Sequence, residues 1–214
     1  LGKAGFKMIK VKNLSFSYKQ EDFVFQNFNF SLKKGERIAL IGDNGCGKTT
    51  FFKLIMGLLK PDAGQIEIFD QKREEEEDFI EIRERVGYLF QDSDNQLFSP
   101  TVEEDIAFGP INLGKSKAEA KKIVADKLAL VKMEGFEKKV TYNLSQGQKK
   151  IIAFAAVLAM EPDVLLLDEP FASLDKQSVK RMIKILNKIP QAFIIVSHNN
   201  LLLDQVTNTS YFLE

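Results

Sequence analysis

With 214 residues, 44% of them hydrophobic, the chain is long enough to bury one sizeable core, so we expect one domain with subdomains. Lys and Arg total 30 and Asp and Glu total 30, and a formal net charge of zero argues against a nucleic-acid-binding surface. The single cysteine, Cys46, excludes an intrachain disulfide and indicates a reducing, cytoplasmic compartment.

The sequence shows no segment that would cross or enter a membrane. The longest uninterrupted apolar run covers residues 151–160, well short of the roughly 20 residues that a spanning helix needs. Residues 1–7 precede the first methionine, Met8, and lack the apolar core of a signal peptide. We interpret them as residues appended to the natural chain and begin the domain at residue 8.

Residues 9–32 are rich in aromatic and β-branched side chains, with a polar break at residues 19–22, and this pattern predicts a hairpin-rich antiparallel sheet. Tyr18 ends the first strand before the break. Its ring could project from the sheet edge and stack on a flat base such as adenine, or it could be an ordinary strand aromatic.

A glycine-rich loop then follows an apolar strand at residues 37–41 and precedes a helical pattern at residues 48–57, which is the setting of a phosphate-binding loop. The glycines let backbone N–H groups turn around a phosphate, and the helix adds its positive N-terminal end. Lys48 can reach the terminal phosphates, and the Thr49 hydroxyl can bind Mg²⁺. The residues expected to contact nucleotide are Gly42, Asp43, Asn44, Gly45, Cys46, Gly47, Lys48, Thr49 and Thr50.

Between residues 61 and 110 the pattern changes from strands to helices. A turn at residues 61–64 and a strand at residues 65–69 indicate a return to the antiparallel sheet, and the glutamate run within residues 73–78 favours a solvated loop. Gln91 ends a buried strand at residues 86–90. It is a candidate for contact with Mg²⁺ or the attacking water, although it could also be a turn residue.

Residues 92–145 form a helical insertion. The pattern predicts a short amphipathic helix at residues 102–108, and Ser116 with Glu119 makes a capping box ahead of a second helix. Ser145 and Gln148 repeat the capping-box pattern at the start of a third helix. Ser145, Gly147 and Gln148 could therefore bind a phosphate or simply cap that helix, and the local sequence does not decide between the two.

Two carboxylates, Asp168 and Glu169, follow the apolar run at residues 164–167, which predicts a strand buried on both faces. Carboxylates at the end of a buried strand need a nearby cation or a hydrogen-bond donor to compensate for the loss of hydration. Asp168 suits Mg²⁺ binding through water, and Glu169 suits orienting or deprotonating a water that attacks the γ-phosphate. The structural alternative is a strand that ends in an acidic turn.

The last third of the chain predicts a helix and a further strand. Asp175 is placed to cap a helix at residues 176–188, and a strand at residues 192–196 leads to His198, the only histidine. His198 lies 30 residues past Asp168, which fits one crossover to a neighbouring parallel strand, so we expect its imidazole at the same sheet edge, near phosphate.

In this order the motifs resemble the ATPase subunit of an ABC transporter. The resemblance matches Tyr18 to the family's adenine-stacking aromatic, residues 42–49 to the Walker A loop and Gln91 to the Q-loop. It matches residues 144–148 to the signature motif and residues 164–169 to the Walker B strand with its catalytic glutamate. Residues 173–175 match the D-loop, and His198 matches the switch histidine. Gln146 stands where the usual signature has its first glycine, and we expect only an altered surface there.

The resemblance implies an α/β fold of the P-loop NTPase (RecA-like) type over residues 8–214. It has a parallel-sheet core, an antiparallel β-subdomain and a helical subdomain at about residues 92–145. It also implies ATP and Mg²⁺, with Lys48, Gln91, Glu169 and His198 in catalysis and Thr49, Gln91 and Asp168 around the metal. Two chains, identical or paralogous, would bind head to tail, so that ATP at Lys48 of one is covered by Ser145 and Gly147 of the other.

Within that family, residues 90–110 look like the A component of energy-coupling factor importers, which take up cobalt or nickel ions or vitamins into prokaryotic cells. The chain also stops soon after a strand predicted at residues 210–213, and this short form is an expectation for the cobalt type. Integral membrane subunits would then dock near residues 91–110, at the cytoplasmic face of the membrane. A soluble ABC-type ATPase of DNA repair is the distant alternative, but it should carry a long heptad coiled coil between Lys48 and Ser145.

Overall fold

The computed structural model of the chain describes residues 7–19 and 22–213, and its strands form two sheets. The strands are β1 (Lys7–Lys19), β2 (Asp22–Lys33), β3 (Arg37–Ile41), β4 (Ala63–Ile68), β5 (Gln71–Arg73), β6 (Val86–Leu89), β7 (Val164–Asp168), β8 (Ala192–Val196) and β9 (Thr209–Phe212). The helices are α1 (Lys48–Ile55), α2 (Asp78–Arg85), α3 (Val102–Asn112), α4 (Lys117–Leu130), α5 (Gln146–Ala159), α6 (Lys176–Leu186) and α7 (Asn200–Leu203).

One sheet is antiparallel, with the order β2-β1-β4-β5. The aromatic-rich strands β1 and β2 form the predicted hairpin, and β4 returns to pair with β1, as the sequence indicated. Of the segment interpreted as appended, residues 1–6 lie outside the described residues. Lys7 is the first residue of β1 and pairs with Lys33.

The other sheet is parallel, with the order β6-β7-β8-β3-β9. Every residue of β7 and β8 is buried, because helices cover both faces of a parallel sheet. The predicted α/β fold with a parallel core and an antiparallel second sheet is therefore confirmed. Its carboxyl edge brings together the segments that follow β3, β6, β7 and β8.

The helical region is built from α3, α4 and α5, which share one hydrophobic core. The capping boxes predicted at the starts of α4 and α5 are present. Helix α3 extends beyond the predicted residues 102–108 and contains Pro110. Among the described residues, no helix has the length and apolar character needed to span a bilayer.

The prediction of a solvated loop at residues 73–78 is wrong at both ends. Arg73 is buried, and its Nη2 atom donates to the Ile68 carbonyl at 3.3 Å and to Glu81 Oε2 at 3.0 Å. These partners compensate for burying a guanidinium. Asp78 begins α2, which sequence reasoning missed because its charged residues mask a single apolar stripe of Phe79 and Ile82.

Candidate active site

The phosphate-binding loop lies between β3 and α1, as predicted. Gly45 and Gly47 have φ values of 86° and 101°, a region that L side chains rarely adopt. Gly47 is also the N-cap of α1, whose first turn has no side-chain cap and no acidic residue. The start of α1 therefore leaves backbone N–H groups and the positive end of the helix dipole available to an anion.

Lys48 lies over this loop. Its Nζ atom donates to the carbonyls of Gly42 at 2.6 Å and of Asp43 at 2.7 Å. A Cβ on Gly42 would lie 2.6 Å from Cys46 Sγ and 2.7 Å from the Leu213 carbonyl, so the loop closes tightly at its first glycine. The carbonyls of Gly42 and Asp43 thus hold the ammonium group against the loop.

Asp168 and Thr49 meet across the sheet edge. The Thr49 hydroxyl donates to Asp168 Oδ2 at 2.8 Å, and the Tyr88 hydroxyl lies 3.4 Å from the same oxygen. Asp168 is 1% exposed, and burial raises the pKa of its carboxyl, an effect that the Thr49 hydrogen bond partly opposes. A carboxylate so enclosed is stabilised by a cation, and carboxylate and hydroxyl oxygens are ligands that Mg²⁺ prefers.

Glu169 has a left-handed backbone, with φ of 48°, and its N–H donates to the Val196 carbonyl at 3.0 Å. Burial raises the pKa of its carboxyl, which His198 and other neighbours partly counter. His198 Nε2 lies 3.5 Å from Glu169 Oε1, an oxygen that is buried and has no hydrogen-bond partner among the described residues. A buried carboxylate oxygen with an unused lone pair can accept a proton from a water molecule.

A cavity of about 350 Å³ collects most of the predicted site residues at this edge. Tyr18 is among its lining residues, and its hydroxyl lies 3.0 Å from Thr50 Oγ1. The residue is 56% exposed, which leaves room for a base to stack on the ring. The cavity is lined by Tyr18, Asn44, Gly45, Gly47, Lys48, Thr49, Thr50, Gln91, Asp168, Glu169, Val196 and His198. Val196 and the neighbouring Tyr88 were not predicted, because nothing separates them in sequence from other strand residues.

The structure does not bring Ser145, Gly147 and Gln148 to this cavity. They line a second cavity of about 410 Å³, together with Ser173 and Asp175. Ser145 and Gln148 cap α5, which is one of the two expected roles, and Asp175 caps α6 as predicted. Phosphate binding by Ser145, Gly147 and Gln148 stays a prediction. A Cβ on Gly147 would lie 2.7 Å from the Ser173 carbonyl, which explains the glycine without a ligand.

Residues 7–19 and 22–213 contain no cluster of three or more His, Cys, Asp or Glu side chains that could hold a metal alone. The Thr49 and Asp168 oxygens instead suit an ion that takes its other ligands from phosphate and water. Mg²⁺ is commonly bound in this way, because it dehydrates reluctantly.

Comparison with known proteins identifies relatives of the whole arrangement. The sequence profile of the ABC transporter family matches residues 25–172. The energy-coupling factor transporter ATP-binding protein EcfA of Methanocaldococcus jannaschii is 43% identical over 90% of this chain and 70% of its own length. The structure of cbiO1 from Clostridium perfringens, part of the ABC transporter complex cbiONQ, has a TM-score of 0.86 and 35% identity over 97% of this chain and 85% of that one. The ATP-binding cassette MJ0796, in a dimeric post-hydrolysis state with ADP and Pi, has a TM-score of 0.89 and 26% identity. The match covers 97% of this chain and 94% of that one.

Proposed function

Because this chain belongs to the ABC transporter family as an ATP-hydrolysing subunit, we propose that it powers an energy-coupling factor importer for cobalt or nickel ions. The observation that carries the ATP-hydrolysing role is the cavity in which a phosphate-binding loop faces Asp168, Glu169 and His198. The likeness to cbiO1 supports the choice of substrate. A vitamin importer of the same kind is the alternative.

The residues around the cavity divide into binding and chemistry. The loop from Gly42 to Thr50 and the start of α1 bind the phosphates through backbone N–H groups, and Tyr18 stacks on adenine. Lys48 exchanges its two loop carbonyls for phosphate oxygens, which offer it a negative charge in place of a dipole.

Glu169 is the general base. Its buried carboxylate takes a proton from a water molecule, whose oxygen forms a bond to the γ-phosphorus while the bond to the bridging oxygen of ADP breaks. Gln91 orients that water, and His198 contacts the γ-phosphate. Thr49, Asp168 and Gln91 would hold Mg²⁺, which neutralises phosphate charge when bound.

Each ATP site is composite: one chain supplies the phosphate-binding loop, and the other supplies the signature residues that cover the nucleotide. Ser145 and Gly147 line a cavity separate from Lys48, so a second copy or a paralogue is needed to bring a signature helix onto the nucleotide. The likeness to a dimeric structure supports this arrangement. The dimer closes around ATP and opens after hydrolysis.

The membrane subunit docks on the helical region. A groove of about 760 Å³ between α3 and α4 has apolar walls formed by Ala107, Phe108, Ile111, Ala120 and Val124. Beside it, the exposed ring of Phe98 makes an edge-to-face contact with Phe108, with 4.7 Å between ring centroids. The occupant we assign is an apolar helix of the integral membrane subunit, because the transporter needs a spanning partner and large exposed apolar patches mark interfaces.

The docking test replaces Phe98 and Phe108 together by serine and uses Ile80→Ser as the control. Ile80, on α2, is an apolar side chain that is 57% exposed and is not among the residues that line the groove. Loss of two aromatic anchors should reduce co-purification with the membrane subunit at least about tenfold, the effect of roughly 1.4 kcal/mol. Equal recovery of the double variant and the control, both with unchanged melting curves, would contradict docking at this groove.

Uptake assays then decide the substrate. Cells that express the chain with its membrane subunits should accumulate radioactive cobalt or nickel ions and should lose this uptake with Glu169→Gln. Uptake of a labelled vitamin in place of the metal ions would establish the alternative importer.

A further inference from the structure

A buried lysine joins the signature helix to the segment that carries Gln91. Lys150, on α5, is 3% exposed, and its Nζ atom donates to the carbonyls of Phe90 at 3.0 Å and of Gln91 at 2.6 Å. Both carbonyls lie just beyond the end of β6. The hydrolysis scheme described above does not use this ammonium group.

A second contact joins the same two elements at the surface. Asp94 Oδ2 accepts from Gln146 Nε2 at 2.6 Å, and Asp94 Oδ1 accepts from Lys149 Nζ at 2.5 Å. The Lys149 side chain is only 12% exposed. Gln146, where we expected only an altered surface, is exposed, and its amide also reaches across to the segment after Gln91.

Burying Lys150 is unfavourable in itself. Burial lowers the pKa of its ammonium group, an effect that the carboxylates of Asp168, Asp92 and Glu169 partly oppose. A methionine would fill the same space without a desolvation cost, so the ammonium group is best explained by the two carbonyls that it holds.

We propose that Lys150 is a positioning residue for Gln91, and that Asp94 with Gln146 and Lys149 completes a clamp between residues 90–94 and the first turns of α5. The same turns carry Ser145 and Gly147. The clamp therefore makes the Gln91 segment at one nucleotide move together with the signature residues that face the partner's nucleotide. This inference rests on the proposed roles of Gln91 and of the composite site.

Hydrogen–deuterium exchange on the full chain tests the clamp itself. Lys150→Met should speed exchange of the amides in residues 90–94 and leave α1 and β7 unchanged, while Lys122→Met, at an exposed lysine of α4, should change neither. Unchanged exchange in residues 90–94, or equally faster exchange throughout the chain, would overturn the clamp. If Lys150→Met does not fold, Asp94→Asn, which weakens the surface contacts of the clamp, replaces it and should likewise speed exchange in residues 90–94 alone.

A double-mutant cycle on ATP hydrolysis tests whether Lys150 acts through Gln91. Lys150→Met alone should lower kcat about 10- to 100-fold, as loss of outer supporting groups does, with little change in nucleotide affinity. In the Gln91→Ala background it should cost nothing further, because the group that it positions is gone. An equal additional loss in that background would overturn the positioning role. If Gln91→Ala alone hydrolyses at the wild-type rate, the role proposed for Gln91 fails, and the exchange experiment still decides the clamp.

Discussion

Three buried carboxylates, Asp105, Asp168 and Glu169, share a physical feature at the scale of single residues. Burial raises the pKa of each, since a charged carboxylate loses its hydration. Asp168 and Glu169 line the nucleotide cavity, where bound cations can offset this cost. Asp105 lies on α3 and is not among the residues of that cavity. A substitution at Asp105 therefore reports the effect of burying a carboxylate on stability without a contribution from bound ligands.

Asp105→Asn should raise the melting temperature at pH 7. Asp105 Oδ1 accepts from the N–H groups of Phe98 and Ser99, which an asparagine oxygen can also accept, and Oδ2 is buried without a partner among the described residues. Because the pKa of Asp105 is raised on folding, the folded chain binds more protons than the unfolded chain between the ordinary and the raised pKa. The free energy of unfolding therefore falls as pH rises through that window.

The rise in melting temperature caused by Asp105→Asn should accordingly be largest at neutral pH and should shrink near pH 4. Each kcal/mol gained in the free energy of unfolding should raise the melting temperature by about 2–4 °C. Thermal melts of the two proteins across this range give the difference. Asp126→Asn, at an exposed aspartate of α4, makes the same change in net charge and should show little effect. A constant difference from pH 4 to pH 7 would show that ionisation of Asp105 is not the cause.

The strands and helices that sequence patterns predicted well have periodicity or capping residues of their own. Strands β3, β7 and β8 were predicted with correct positions because a strand buried on both faces is uniformly apolar. Helices α4 and α5 were marked by capping boxes. Helices α2 and α7 were missed. The first is masked by its charges, and the second is one turn of four residues.

The candidate site divides in the same way. The loop between β3 and α1, Asp168 and Glu169 could be located from the sequence because a loop motif and a strand end constrain them locally. Gly42, Asp43 and Cys46 belong to that loop but are not among the residues that line the cavity. Lys150 and the pair of Gln146 and Asp94 could not, because their partners are 52 to 60 residues away and a lysine on a helix usually faces solvent. Only the tertiary structure brings α5 against the end of β6.

The phosphate loop offers a direct test through its cysteine. Cys46 is half-buried, and its Sγ atom lies 3.7 Å from Lys48 Nζ. A maleimide on Cys46 should block ATP hydrolysis, and Mg-ATP at about ten times its Kd should slow the labelling roughly tenfold, because bound nucleotide covers the loop. Mass spectrometry follows the labelling. Lys48→Ala should label at one rate with or without nucleotide, and equal rates in the wild type would remove Cys46 from the nucleotide pocket.

For the whole molecule, the separation of the two cavities determines how the chain can work. Lys48 and Glu169 face one cavity, and Ser145 and Gly147 face the other. In the proposed dimer, ATP held by the first cavity of one chain contacts the second cavity of its partner, so we expect hydrolysis to be the step that reopens the dimer. The clamp at Lys150 lies between these two faces and connects them within each chain.

Glu169→Gln should therefore trap a dimer. The amide keeps the shape of the site but cannot accept the proton, so hydrolysis should fall roughly 10²- to 10⁴-fold while ATP still binds. The bound ATP then stabilises the closed form. Size-exclusion chromatography with light scattering should report twice the chain mass of 24.3 kDa for Glu169→Gln with Mg-ATP, and monomer for Lys48→Ala, which cannot hold the phosphates. Nearly wild-type hydrolysis by Glu169→Gln would contradict its role as base. A monomer that binds ATP without hydrolysing it would leave that role intact and would indicate a paralogous ATPase chain as the natural partner.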